Sequence, residues 1–347
     1  MSLFHGGDIA AAAKQFAFEI TDCLDLSTGI NPSPYPVEGL ESCSFHHLPY
    51  LSDDFYQAVR SYYGDHDVAV LPGSQAAIPI IADLVSAQAN YPVLMPELGY
   101  QEHAFWWQHK TEVNTYSSLK SNEMLDDIHR ALDCNHKQHL LIINPNNPTG
   151  LKFDIDCLLA LKSRLDSNAY LIVDEAFLDL EPSASLLNLD KLERIVVLRS
   201  FGKFFGLAGV RLGFCFADKK IIDGINERLG IWPISGPAQT LAIKALNDQA
   251  WQKMARSSIR ALVLNMRQCL LPLENQLGFS VQNVDGLFLT YIGDKDQVEQ
   301  VFQVFAKRAI LLRLIDFSET KSLLRIGLCE LDASNHHQRL SAALNAL

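Results

Sequence analysis

Tyr170-Leu171-Ile172-Val173-Asp174-Glu175-Ala176-Phe177 holds an uninterrupted apolar run that ends in two carboxylates. A half-exposed strand alternates apolar and polar residues, whereas a run apolar at every position is buried on both faces. Working outward, similar short runs recur at Val68–Leu71, Pro92–Met95, His139–Ile143, Arg194–Leu198 and Gly209–Ala217. Helical stretches lie between several of them, such as Ala76 to Ala87 and Asp154 to Ser167. The alternation predicts an α/β fold with a mostly parallel central sheet flanked by helices. Right-handed crossovers then set the strand C-termini, and any ligand, along one edge.

Beyond about residue 235 the texture changes. A long helical region from Ala238 to Leu277 is followed by the segment Gly286–Ile292, a helix near Gln297–Arg308 and a strand at Leu323–Leu328. These predict a smaller α+β domain. The expected organisation is an N-terminal arm (1–45) serving the small domain and the site, a large ligand-binding domain (46–235), and an interdomain helix with the small domain (236–347). No internal repeat or low-complexity tract interrupts it.

The chain has 347 residues, of which 48% are hydrophobic, so a large core is available and disorder is excluded as the main state. A formal net charge of −11 without a long Lys/Arg cluster excludes nucleic acid and anionic membrane as partners, because both begin with basic groups. A small anionic ligand remains compatible with a locally positive site. The N-terminal residues show no signal-peptide pattern, and no apolar run approaches the roughly 20 residues of a membrane span. Seven scattered cysteines without C-x-x-C spacing read as reduced cytoplasmic thiols. The pairs His46-His47 and His336-His337 lack partners at ligand spacing, so no metal is expected.

Four signals carry chemistry. Asn144-Pro145-Asn146-Asn147-Pro148-Thr149-Gly150 follows an apolar strand; it reads as a Pro/Asn turn, or as a turn that fixes the Asn147 amide toward a ligand oxygen. Asp174 ends a buried strand, where a carboxylate requires a cation, a bound N–H or a helix to cap. Asp-Glu pairs also end nucleotide-binding strands, but the chain has no G-x-x-x-x-G-K-[ST]. In Leu198-Arg199-Ser200-Phe201-Gly202-Lys203-Phe204-Phe205-Gly206-Leu207 a lysine sits among Phe and Gly. Burial disfavours an ammonium and suits its amine to Schiff-base formation. Arg211, shortly after, offers a bidentate phosphate clamp. Leu71-Pro72-Gly73-Ser74-Gln75-Ala76 is a strand–turn–helix with hydroxyl, amide and helix N–H groups suited to an anion. Taken together they describe a ligand with a phosphate, an aldehyde and a ring N–H, which is pyridoxal phosphate.

The Asn-Pro-Thr-Gly, Asp-Glu-Ala and Ser-x-x-Lys set, in this order, resembles the fold type I pyridoxal-phosphate enzymes of aminotransferase class I/II over nearly the whole chain. The resemblance implies that Lys203 is the catalytic lysine bonded to the cofactor and that Asp174 keeps its pyridine nitrogen protonated. It further implies that Asn147 bonds the ring hydroxyl, that Ser74, Gln75, Ser200 and Arg211 cradle the phosphate, and that Tyr100 stacks on the ring. Arg325, in Leu324-Arg325-Ile326-Gly327, matches an arginine that holds the amino-acid substrate. A homodimer with the site at the subunit interface is implied as well.

Two branches resemble the chain: histidinol-phosphate aminotransferases and the threonine-phosphate decarboxylases of cobalamin biosynthesis. His5-Gly6-Gly7-Asp8 with Leu26-Ser27-Thr28-Gly29-Ile30-Asn31-Pro32 is similar to the N-terminal signature of the decarboxylases, which implies substrate roles for His5 and Asn31. Phe177 stands where the aminotransferases usually have a tyrosine that reaches the ring hydroxyl. The loops Tyr100-Gln101-Glu102-His103-Ala104 and Ile234-Ser235-Gly236-Pro237-Ala238 look like the decarboxylase versions too. The expected reaction is decarboxylation of L-threonine O-3-phosphate, with transamination as the alternative. In one departure, relatives often carry Tyr-Pro around Leu48-Pro49, the tyrosine reaching the neighbouring subunit's cofactor phosphate. Leu48 cannot do this, and Tyr50 is displaced by two residues.

Overall fold

The computed structural model describes residues 6–38, 40, 45–333 and 335–347. Contacts divide the chain into two compact units, one of residues 34–147 with 151–253, the other of the chain up to Ser33 with 148–150 and 254–347. Residues 34–38 and 236–253, expected with the smaller domain, therefore group with the larger. Packing explains it: Tyr35 meets Phe205 and Trp251 edge to face, and the helix Gly236–Asn247 packs on Asp53–Tyr63.

The larger unit is built on a seven-stranded sheet. In spatial order its strands are Val68–Leu71, Gly213–Phe216, Ile195–Ser200, Leu171–Asp174, His139–Ile143, Val93–Pro96 and Val113–Tyr116. Every pairing is parallel except the two made by Gly213–Phe216. The sheet is thus mostly parallel and fold type I in architecture. Leu171, Ile172 and Val173 are all buried, as an apolar run without alternation requires. Ile81 on the helix Ala77–Gln88 and Ile221 on Lys219–Leu229 share one core cluster with Leu71, Met95, Ile172 and Leu198. Each such side chain contributes about 1.5–3 kcal/mol by leaving water, so the strands cannot slip register cheaply.

Two sequence expectations change, and one strand, Val113–Tyr116, was not expected. Gly209–Ala217 contains only the short strand Gly213–Phe216, which is antiparallel to both neighbours. The edge strand Val113–Tyr116 carries little apolar signal because one face is open. The helical region from Ala238 is two helices, Gly236–Asn247 and Gln249–Asn275. Asp248 between them leaves helical geometry and accepts the Trp251 backbone N–H at 2.9 Å, an N-cap that restarts the helix.

The smaller unit holds a four-stranded antiparallel sheet ordered Arg313–Asp316, Lys321–Gly327, Phe288–Asp294 and Ser280–Asp285. Residues 6–33, expected in an arm serving the small domain, are part of this unit's framework. Leu24–Asp25 pairs parallel with Ile310–Leu311, Leu26 is fully buried, and the Gly327 N–H donates to the Leu26 carbonyl at 2.7 Å. A two-residue strand has no periodicity to read, which is why composition alone suggested an arm. Among the described residues the cysteines carry no disulfide, no cluster of His, Cys, Asp and Glu could hold a metal ion, and no helix is long and apolar enough to cross a membrane.

Candidate active site

Strand direction assembles the site. The turn Gly73–Gln75 follows Val68–Leu71, Tyr100 follows Val93–Pro96, Asn147 follows His139–Ile143, and Asp174 ends its own strand. Ser200 ends Ile195–Ser200, and Lys203 lies in the short helix Phe201–Phe204 directly after it. These are all C-terminal ends and share one edge. Because Gly213–Phe216 runs the opposite way, its N-terminal end, with Arg211, arrives at that same edge. A parallel strand would have carried Arg211 away.

The result is a pocket of about 110 Å³ lined by Gly73, Ser74, Gln75, Tyr100, Asn147, Asp174, Phe177, Ser200, Lys203 and Arg211, with Ile143 and Ala176. All eight residues expected to hold the cofactor line it. Lys203 is half-buried between buried Phe201 and Phe204, and its Nζ lies 5.4 Å from the centre of the Phe177 ring. Asp174 is 5% exposed; its Oδ1 accepts the Ala176 backbone N–H at 3.0 Å and its Oδ2 meets His103 Nε2 at 3.0 Å. Asp174 caps no helix, since the next helical turn begins at Leu178; its first oxygen holds the local turn and its second serves a side chain.

Glu175, one residue on, points to the opposite face, as strand alternation dictates. Its Oε2 accepts from Arg199 Nη1 at 2.9 Å and from the Ser185 hydroxyl at 2.5 Å, and its Oε1 accepts the Leu186 N–H at 2.9 Å. Asp179 accepts from Arg199 Nη2 at 2.5 Å. Burial works against the Arg199 guanidinium, but Asp179 and Glu175 outweigh it and hold it charged. This buried network braces the strand ends that carry Asp174 and Ser200.

Backbone approach shapes the anion side. Gly73 has φ +84°, and a Cβ there would lie 2.4 Å from Arg211 Nη2. A Cβ at Gly213 would lie 2.3 Å from the Ser74 nitrogen, so the turn rests directly on the neighbouring strand. On the other side, the loop after His139–Ile143 is closed by Asn144, whose amide donates to the Phe153 carbonyl at 3.0 Å and accepts the Phe153 N–H at 2.9 Å. Burial, then Glu102 and Asp174, push the Tyr100 hydroxyl well up, so it stays a neutral phenol.

Arg325 and Asn31 belong to the smaller unit. Arg325 donates to the Ser27 carbonyl, lies 5.4 Å from the Phe288 ring centre, and faces Arg313 across the sheet. Burial and Arg313 push it down to about 10, which leaves it charged at neutral pH. Asn31 is buried and accepts the Ser33 N–H at 3.0 Å. His5 lies outside the described residues. Sequence reasoning passed over His103 and Glu102, although both stood within a quoted loop; the signal was a histidine three residues after Tyr100, on the same helix face.

This donor set fits a phosphorylated pyridine aldehyde: one amine, one carboxylate, one guanidinium, two serine hydroxyls and a phenol, and a glycine turn that leaves room beside the guanidinium. The sequence pattern of aminotransferase class I and II matches residues 42–342, and the chain belongs to that family. Within it, the threonine-phosphate decarboxylase of Pseudomonas aeruginosa is 35% identical over 344 residues, 99% of this chain and 97% of that one. A second threonine-phosphate decarboxylase, from a Sinorhizobium species, is 33% identical over 99% of this chain and 97% of its own. Among solved structures, the histidinol-phosphate aminotransferase of Sinorhizobium meliloti in complex with pyridoxal-5'-phosphate superposes with a TM-score of 0.81. At 19% identity over 99% of this chain and 95% of that one, it shares the fold.

Proposed function

We propose that the chain is a pyridoxal-phosphate-dependent carboxy-lyase that converts L-threonine O-3-phosphate to (R)-1-amino-2-propanol O-2-phosphate and carbon dioxide. Likeness along almost the entire chain to two threonine-phosphate decarboxylases carries the choice of substrate. The pocket supplies the groups the chemistry needs. Pyridoxal phosphate, when bound, offers an aldehyde to the substrate amine and a ring that accepts the electrons left at Cα.

The residues divide the remaining work. Lys203 Nζ would hold the cofactor aldehyde; exchanged for the substrate amine, it would be a free amine that can take up a proton and pass it to substrate Cα. Asp174 keeps the ring nitrogen protonated, with His103 orienting its carboxylate. Asn147 would donate to the ring hydroxyl, and Tyr100 would pack against the ring. Ser74, Ser200, Arg211 and the amides of the glycine turn hold the cofactor phosphate; Gln75 lies beside them. Arg325, Asn31 and His5 hold the substrate's anionic groups, so that the carboxylate, not the Cα–H, stands in the labile orientation.

A homodimer working in the cytoplasm completes this reading. Exposed Tyr50 and Trp232 pack edge to face at 5.8 Å, beside exposed Leu48 and Ile231, an apolar surface of the kind that a second subunit covers. The deciding experiment incubates purified protein and pyridoxal phosphate with L-threonine O-3-phosphate, without any 2-oxoacid. Carbon dioxide and aminopropanol phosphate, identified by mass, are expected. Activity that requires 2-oxoglutarate and releases no gas would overturn the proposal in favour of an aminotransferase.

A further inference from the structure

Glu102 is an anomaly at an anion pocket. It is only 8% exposed, and a buried carboxylate near a phosphate repels it. Its surroundings explain its presence. Oε1 accepts from Gln75 Nε2 at 3.0 Å, and Oε2 accepts from Trp106 Nε1 at 3.0 Å. Both are charge-assisted bonds, stronger than neutral ones.

The two donors stand on different elements. Gln75 belongs to the turn after Val68–Leu71, on the anion side of the pocket. Trp106 lies one turn along the helix Gln101–Trp107, whose N-cap is Tyr100 and whose third residue is His103. Tyr100 lines the pocket, and His103 bonds Asp174. A Gln75 amide hydrogen is spent on Glu102, so Gln75 has a partner other than phosphate.

We propose that Glu102 is a positioning residue: through Gln75 it ties the anion-binding turn to the helix that places Tyr100 and His103. One carboxylate thereby sets three sides of the pocket together. Gln75 then acts as the link in this chain. The proposal rests on the reading of the pocket as a pyridoxal-phosphate site.

The test measures pyridoxal phosphate binding to cofactor-free protein by equilibrium dialysis, alongside urea unfolding of the same preparations. Glu102→Ala should weaken binding about tenfold, the loss expected of one charge-assisted hydrogen bond. Gln75→Ala, at an exposed and permissive position, should weaken it similarly, and the double variant no further. Glu102→Gln should recover most of the affinity, because the Gln75 amide can turn over to present its oxygen. Binding of both single variants within twofold of the parent, or additive losses, would overturn the proposal even if the unfolding midpoint falls. A parent protein that binds no pyridoxal phosphate would overturn the reading of the pocket and this inference with it.

Discussion

His103 Nε2 and Asp174 Oδ2 lie 3.0 Å apart with both residues buried, 71 residues apart in sequence. An ionised carboxylate accepts only, so the ring nitrogen facing it carries the proton. With the Ala176 N–H on the other oxygen, Asp174 is fixed on two sides and still has lone pairs for a ring N–H.

Replacing His103 by Phe should therefore leave Asp174 in place but poorly oriented. Turnover of threonine phosphate should fall about tenfold to a hundredfold, since a displaced orienting group costs on that order. His103→Asn, which can still donate, should retain more activity. Equal turnover in His103→Phe and the parent would show that Asp174 needs no orienter.

That pair also marks what the sequence could tell. Asp174, Lys203 and Arg211 were legible because a charge amid apolar residues is costly and must have a use. The strands were legible because both faces are buried. His103 and Glu102 were harder to read, because Asp174 and Gln75, the partners that give them a role, lie on other elements, and the spacing from Tyr100 was the one local signal. The reversed strand Gly213–Phe216 was hidden too. Its residues are all buried, and an unbroken apolar run does not reveal direction.

Arg199 stands between Glu175 and Asp179 with no access to water. Removing one partner of a buried ionic group strands the others, at a cost of about 3–5 kcal/mol. Arg199→Met should lose about that much in urea unfolding at neutral pH. It should also loosen Ser200 and Asp174, so pyridoxal phosphate affinity should fall with stability. A loss below about 1 kcal/mol would mean that water reaches the carboxylates in the variant.

His139 predicts an acid-sensitive framework. Its Nε2 lies 2.9 Å from the Ala89 carbonyl and its Nδ1 accepts the Tyr170 N–H at 3.1 Å, an arrangement open only to neutral imidazole. Burial lowers its pKa, with the Ala89 carbonyl opposing and Arg194 assisting. The unfolded chain, near about 6.5, therefore takes up the proton first as the pH falls. This contribution is complete above that value and is lost as the pH drops through the lower folded one. Unfolding free energy measured from pH 8 downward should decline more steeply below about 6.5 in the parent than in His139→Gln. Parallel curves would remove His139 from the account.

Gly73 tests the anion side of the pocket. Its φ of +84° with ψ 146° is a conformation essentially confined to glycine, and a side chain there costs about 1–3 kcal/mol of backbone strain. The atom that a Cβ would strike is Arg211 Nη2, the far end of a flexible side chain, so Gly73→Ala should fold with the guanidinium displaced. Stability should drop by that modest amount, whereas pyridoxal phosphate affinity should fall about tenfold, as for loss of one charge-assisted contact. The decisive comparison is made in the background of Arg211→Ala. There the guanidinium is already gone, so adding Gly73→Ala should cost stability again but little further affinity. If the two affinity losses instead add, the turn holds the phosphate through its own backbone, and Arg211 does not mediate the effect of Gly73.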